Sequence, residues 1–512
     1  MVFKNRGSSL RHRVTTACGA GFLLFGYDQG VFGGLLSNQH FLDTFNNPNS
    51  TMQGQIVATY DIGCIMGTIV SMIWGEKLGR RKCVSVGCVI LIIGGILQAA
   101  SYSIVPMIVG RIVAGIGNGM NTIAIPIWQS ETAKAENRGK LIVLQLVTNI
   151  FGIVITNWMN YGFTYVTHSA ISWRFPLAFE CFFALVTIAM VFIAPESPRW
   201  LIMTERVEEA TSVIAILNEK PENDPAIVEE VSLLVASVNH VAHQQSAVSV
   251  KEIFYKNEKM NWGRILLGAG TPFFQQFGGV NVIAYYLPVV LVRSFGMSDR
   301  LALILSAVDS MSLMFWGALA SLLIDRIGRR RLMMWGVLCS GVCFCVVAIG
   351  LRYGGPGSSN GRASTVAVAF IFLYYVFHGL SMLSFPYMYP PEINSQRMRN
   401  VGTSIATAVN WISVYIVVVI TPIAIDNVGW KYYLIYAVFN FAFVPIIYRW
   451  YVETANLSLE QVDRLFAVKY NDKNLRWKQA EKQAREETPA IIEAKIKDAE
   501  HVEVVGAKDN SA

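Results

Sequence analysis

A chain of 512 residues that is 53% hydrophobic and only 15% charged is not a water-soluble domain, in which about a quarter of residues are charged. The formal charge of +7 comes largely from short loops between apolar runs. It therefore reports membrane orientation, and nucleic acid is not needed as a partner.

Apolar runs long enough to cross a hydrocarbon core of about 30 Å as helices are expected near residues 14–36, 55–75, 83–103, 104–128, 141–161, 172–194, 264–292, 301–324, 332–351, 364–389, 401–424 and 431–451. The basic tail MVFKNRGSSLRHRV leads into a span too long for a signal-peptide core, with no clear small-residue cleavage site. It is expected to be retained, and cytoplasmic. The first span contains GFLLFGYDQGVFGGLL (21–36), with one carboxylate, Asp28. An ionised Asp near the bilayer centre costs about 2.5 to 3.5 kcal/mol, so it needs a partner or a proton. Asn49-Ser50-Thr51 in the next loop is a glycosylation sequon. The second span holds Asp61 and ends in WGEKLGRRK (74–82).

GRIVAGIGNG (110–119) has the look of a dinucleotide fingerprint, but it lies inside an apolar span with no strand before it. Gly115 and Gly119, four apart, instead permit close helix packing. Arg111 in that span is an intramembrane cation that requires an anion. Glu131 and Arg138 follow, seven residues apart, and Glu180 lies in the sixth span. The polar segment 203–263 separates two halves. Within it Asp224 can cap a helix whose first residue is Pro225, with Ile227, Val231, Leu234 and Val238 on one face.

The second half echoes the first. LIDRIGRRR (323–331) follows the eighth span as WGEKLGRRK follows the second, and Glu392 with Arg399 repeats the seven-residue spacing of Glu131 with Arg138. Duplicated halves with a site near the midplane are a common transporter architecture. Basic residues concentrate in the loops on the side of the termini, which predicts that both termini are cytoplasmic. The eight cysteines fall in or beside apolar spans, so neither a disulfide framework nor a zinc site is expected. The tail after about 453 is charged and helix-prone.

The motifs FGYDQGVFGG (25–34), the two basic loops, GRIVAGIGNG, PESPRWL (195–201), QQFGGVNVIAYY (275–286) and VETANLSLEQVD (452–463) together resemble the sugar porter family of the major facilitator superfamily, particularly its fungal members. The chain departs from that family's pattern at Glu76 with Lys77, at Gly278, Tyr387 and Val452, and at Leu146, where a sugar-contacting Gln falls one place early as Gln145. The resemblance implies an all-α membrane protein with twelve transmembrane helices in two six-helix halves, the major facilitator fold. The expected division is a tail over 1–13, a half over 14–202, a linker over 203–263, a half over 264–452 and a tail over 453–512.

A sugar offers hydroxyls, so its site needs amides that donate and accept beside flat apolar faces. Gln275, Gln276, Asn281 and Asn410, with Trp411, are the implied sugar contacts, and Gln145, Phe25, Tyr286 and Tyr387 are further candidates. The alternative is that these amides glue helices together. Asp28, opposed by Arg111 and accompanied by Glu180, is the implied proton-coupling group, against the alternative of a permanent ion pair. Glu76, Arg80, Arg81, Glu131, Arg138 and Glu196 in one half, with Asp325, Arg329, Arg330, Glu392 and Arg399 in the other, are read as a cytoplasmic gate. Setting topology would need only the cations.

The expected function is proton-coupled uptake of a hexose or pentose by alternating access, with no cofactor. The implied partners are a monosaccharide, protons and the lipid bilayer, for a monomer in the plasma membrane. Facilitated diffusion and non-transporting sugar sensing are the rivals. No P-loop, metal cluster or nucleophile elbow supports an enzyme.

Overall fold

The structure, a computed structural model, describes residues 7–133, 138–166, 169–244, 252, 254, 260–354, 361–395, 397–455, 457, 459–472, 474–477 and 479–487. These residues form helices and no strand. The first half contains α1 (Gly7–Leu35), the short α2 (Gln39–Thr44), α3 (Ser50–Leu78), α4 (Arg80–Ala99), α5 (Ile104–Thr132), α6 (Arg138–Phe163) and α7 (Ile171–Ile193). Three shorter helices follow, α8 (Pro198–Met203), α9 (Val207–Asn218) and α10 (Pro225–Gln244). The second half contains α11 (Asn261–Phe277), α12 (Val280–Phe295), α13 (Asp299–Ile327), α14 (Arg329–Gly354), α15 (Gly361–Leu380), α16 (Phe385–Ile393), α17 (Arg399–Val428) and α18 (Lys431–Trp450), and α19 (Leu459–Asn471) lies beyond it.

Among the described residues, 11 helical stretches are long and apolar enough to cross a membrane, and α1, packed against α6 and α7, completes twelve. Large apolar side chains such as Ile73, Phe192, Leu322 and Val438 are exposed. Water would penalise that surface, whereas lipid accepts it.

Two of the twelve spans are broken where the sequence suggests continuous helices. The seventh interrupts at Gly278 and Gly279, the latter at φ +95°, so α11 and α12 meet end to end. The Gly278 carbonyl accepts from Asn440 Nδ2 at 3.1 Å and from Tyr374 Oη at 3.2 Å, as a freed backbone group inside a bundle must. The tenth breaks between Leu380 and Phe385, just before Pro386, which cannot supply a helical N–H.

Helix packing follows the glycines. A Cβ on Gly115 would lie 2.2 Å from the Tyr60 carbonyl, and one on Gly119 the same distance from that of Cys64, so α3 and α5 are in backbone contact. Asp224 accepts from the Ala226 N–H at 2.9 Å at the start of α10. Ile227 and Val231 pack beneath α9, and Leu234 and Val238 pack on Trp200 and Leu201.

Candidate functional site

The broken spans bring four amides together. Gln275 and Gln276 sit in the last turn of α11 and Asn281 in the first turn of α12. Asn281 Nδ2 donates to Gln276 Oε1 at 2.6 Å, and Gln276 Nε2 donates to Asn410 Oδ1 of α17 at 2.8 Å. Gln276 Nε2 is also 3.2 Å from Gln275 Oε1, while Gln275 Nε2 donates to the Met382 and Leu383 carbonyls at 3.2 and 3.4 Å. Those carbonyls belong to the break between α15 and α16. A continuous seventh span would carry the same amides, but the break lets residues from two helix ends converge. Each amide has donors and acceptors that can exchange a neighbouring amide for a hydroxyl.

An apolar floor adjoins the chain. Phe25 of α1 and Trp411 of α17 lie with ring centroids 5.8 Å apart, bridging the two halves, and Leu146 and Tyr387 pack in the same cluster. Gln145 is buried, and among the described residues its Nε2 has no hydrogen-bond partner. Tyr286 is not joined to the amide chain. Its hydroxyl donates to the Val418 carbonyl at 3.0 Å and fixes α12 to α17.

The carboxylate of the first span has its cation. Arg111 Nη1 donates to Asp28 Oδ1 at 2.7 Å, and both side chains are 0% exposed. Arg111 Nη2 donates to the Val57 carbonyl at 3.1 Å, and the guanidinium lies 4.3 Å from the Phe32 ring centre and 4.4 Å from that of Tyr60. Glu180 is fully buried and faces Asp28. A buried pair with further hydrogen bonds offsets the desolvation that an isolated charge would suffer.

At the end of the bundle that carries the basic loops, the duplication becomes geometric. Arg80 Nε and Nη2 bond both oxygens of Glu131 at 2.9 and 3.0 Å, and Arg329 approaches Glu392 at 3.4 Å. Arg81 donates to the last carbonyls of α7, Val191 and Phe192, at 3.1 and 3.0 Å, and Arg330 donates to the Tyr448 carbonyl of α18. Glu196 accepts from the backbone N–H groups of Arg80 and Arg81, capping α4. Glu453 does the same for Arg329 and Arg330 at 2.8 and 3.2 Å, capping α14. The preceding glycines, Gly79 at φ +82° and Gly328 at φ +94°, would place a Cβ 2.9 and 2.5 Å from these carboxylates. Trp128 Nε1 donates to the Pro195 carbonyl and Tyr389 Oη to that of Val452, so even the support of each capping loop is repeated. Burial pushes the Glu196 carboxyl up, against three backbone N–H groups that pull it down.

Glu76 stays exposed, and its carbonyl accepts from Trp200 Nε1 at 2.6 Å. Arg399 opens α17. The side chains of Arg138 and Asp325 lie outside the described residues.

Sequence reasoning missed Glu453 as a member of this set. The signal was the pairing of PES (195–197) with VET (452–454), masked by Pro against Val. It also missed a junction at the opposite end. There Arg293 Nη1 contacts Asp426 at 3.1 and 3.2 Å while its Nη2 donates to Gln53 of α3 at 2.8 Å. Ser50 of α3 also bonds Asp426. Between the ends, Asn157 Nδ2 of α6 donates to Ser310 Oγ of α13 at 2.8 Å.

Residues 14–466 match the family described as Sugar (and other) transporter. The MFS-type transporter oryC of Aspergillus oryzae is 43% identical over 465 residues, covering 90% of this chain and 86% of that protein. Sugar transporter STL1 of Saccharomyces cerevisiae is 36% identical over 487 residues, covering 93% and 84%. The solved proton:xylose symporter XylE is 24% identical and superposes with a TM-score of 0.74 over 90% of this chain and 100% of its own, which establishes the shared fold. With two six-helix halves, repeated basic loops and a family match across nearly the whole membrane region, the chain belongs to the sugar transporter family of the major facilitator superfamily.

Proposed function

We propose that the protein takes up a neutral monosaccharide, a hexose or pentose, with a proton, by alternating access in the plasma membrane. In this reading the termini are cytoplasmic and a single copy suffices. The observation that carries it is the Asp28–Arg111 pair, sealed from water in one half and joined across the Phe25–Trp411 contact to a half that presents the amide chain. Sugar hydroxyls take the place of the mutual bonds among Gln275, Gln276, Asn281 and Asn410, and the Trp411 and Phe25 faces meet the C–H surface of the ring. A charged substrate would need a counter-charge that this amide chain lacks.

Asp28 supplies the coupling. Ionised, it is held by Arg111. Protonated, it releases Arg111 and changes the balance between conformations that the two halves can adopt. The Arg80–Glu131 pair within the first half and the Arg329–Glu392 pair within the second brace the helix ends on the inner side, so their loss shifts the balance between conformations without touching the sugar.

The test is uptake in cells lacking their own sugar carriers, with glucose, xylose, galactose, a disaccharide and a sugar acid as competitors, with and without a protonophore. Competition by the monosaccharides and protonophore-sensitive accumulation are expected. Competition by the acid alone contradicts the substrate class. Uptake that never exceeds the external concentration makes the protein a facilitator.

A further inference from the structure

The sealed part of the first half contains three carboxyl groups and one guanidinium, and Asp28 is the acid bonded to that guanidinium. Asp61 is 1% exposed, and among the described residues neither of its oxygens has a hydrogen-bond partner. Its place follows from helix geometry. Val57, whose carbonyl receives Arg111 Nη2, precedes Asp61 by four residues, so the two share a face of α3 about one turn apart. The bond from Arg111 to the Val57 carbonyl brings the guanidinium to within about a turn of Asp61, and both Arg111 and Asp28 lie within electrostatic reach of Asp61.

The second half approaches the same point. Tyr285 is buried, lies four residues after Asn281 on one face of α12, and is within electrostatic reach of Asp61. Tyr286 of α12 also feels Asp61, and Tyr60 and Cys64 flank it on its own helix. From α17, Tyr415 contacts Gln55 at 3.5 Å, and Glu180 of α7 faces Asp28 and Arg111.

One guanidinium neutralises one carboxylate, and a second ionised acid in the same dry space would carry an uncompensated charge. We infer that Asp61 is a second proton-binding carboxyl that competes with Asp28 for Arg111, linking the amide chain on α12 to the buried charge. In the exchange, the O–H bond of one acid breaks, its electron pair remains on the oxygen beside Arg111, and the proton passes to the other carboxylate or to water of the opened cavity. The inference rests on the proton-coupled reading.

Its test needs no sugar. In pH-difference infrared spectra of the purified full chain between about pH 4 and 9, the carboxylic C=O bands of buried acids report which of them titrate. Asp61→Asn should remove one titrating band and move the midpoint of the remaining buried-acid titration to lower pH, because one of the carboxyl groups that share Arg111 is then gone and only Asp28 and Glu180 remain beside it. Asp61→Ser, smaller and still polar, should do the same if Asp61→Asn is not monodisperse. A set of bands and midpoints unchanged by either substitution overturns the inference, since Asp61 would then keep one protonation state throughout. Loss of the symport reading is seen separately, as absence of protonophore-sensitive accumulation by the wild type, and leaves the spectral comparison intact.

Discussion

At Gln276 the same amide donates to Asn410 and accepts from Asn281, so it stands at the centre of the chain. If these amides bind the sugar as proposed, Gln276→Ala or Asn281→Ala removes a hydrogen bond of about 0.5 to 1.5 kcal/mol. The half-saturation concentration for uptake should therefore rise several-fold with surface expression intact. Unchanged kinetics in both variants would assign these amides to helix packing. Glu453 makes a second prediction at this scale. Glu453→Gln keeps the shape and one acceptor but loses the negative charge at the N-terminus of α14, which contributes about 0.3 to 1 kcal/mol. A lower melting temperature of the purified protein should result, with sugar affinity unchanged. Equal melting temperatures would show that the charge at this cap is dispensable. The residues that sequence alone identifies best are those whose need is local and absolute. Asp28 and Arg111 are each unaffordable alone in a bilayer, and they are found paired at 2.7 Å. Asp61 was visible as a carboxylate but without a place, because its neighbours depend on how closely α3 meets α5.

Among the helices, the apolar runs agree with the observed ends to within about five residues, except that α1 begins at Gly7 where the apolar run starts near 14, and the breaks in the seventh and tenth did not register. Hydropathy is blind to them, since Gly278, Gly279 and the Ser381–Ser384 stretch are as compatible with a membrane as helix is. Only the partners of the freed carbonyls, Asn440, Tyr374 and Gln275, make the breaks stable, and these come from distant parts of the chain. The repeated basic loops were legible because both copies keep Gly-Arg-Arg, whereas the capping carboxylates lie more than a hundred residues downstream of them. The junction of α12, α17 and α3 yields a prediction for an element. Arg293→Ala should weaken the closure in which Arg293 holds both Asp426 and Gln53, and labelling of an engineered cysteine beneath that end should quicken. Combining Arg293→Asp with Asp426→Arg should recover part of the closure. Identical labelling in wild type and Arg293→Ala would mean that apolar packing alone shuts this end.

For the molecule as a whole, two halves with separate chemistry must act as one. The first holds the buried charge, the second holds the amides, and contacts such as Phe25 with Trp411 and Asn157 with Ser310 lie where the halves must slide or part. Coupling requires that protonation favours one arrangement over the other, and a ligand or proton shifts such an equilibrium only by its differential affinity for the two states. Asp28→Asn removes that difference while retaining shape and most polar contacts. It also leaves Arg111 facing an amide, which lowers stability, so surface expression must be measured alongside. The decisive measurement is accumulation of sugar against its gradient at acidic external pH, with and without a protonophore, in wild type and Asp28→Asn, together with sugar-for-sugar exchange. Protonophore-sensitive accumulation is expected in wild type and none in Asp28→Asn, with exchange largely preserved in both. Protonophore-sensitive accumulation by Asp28→Asn would contradict the coupling role of Asp28.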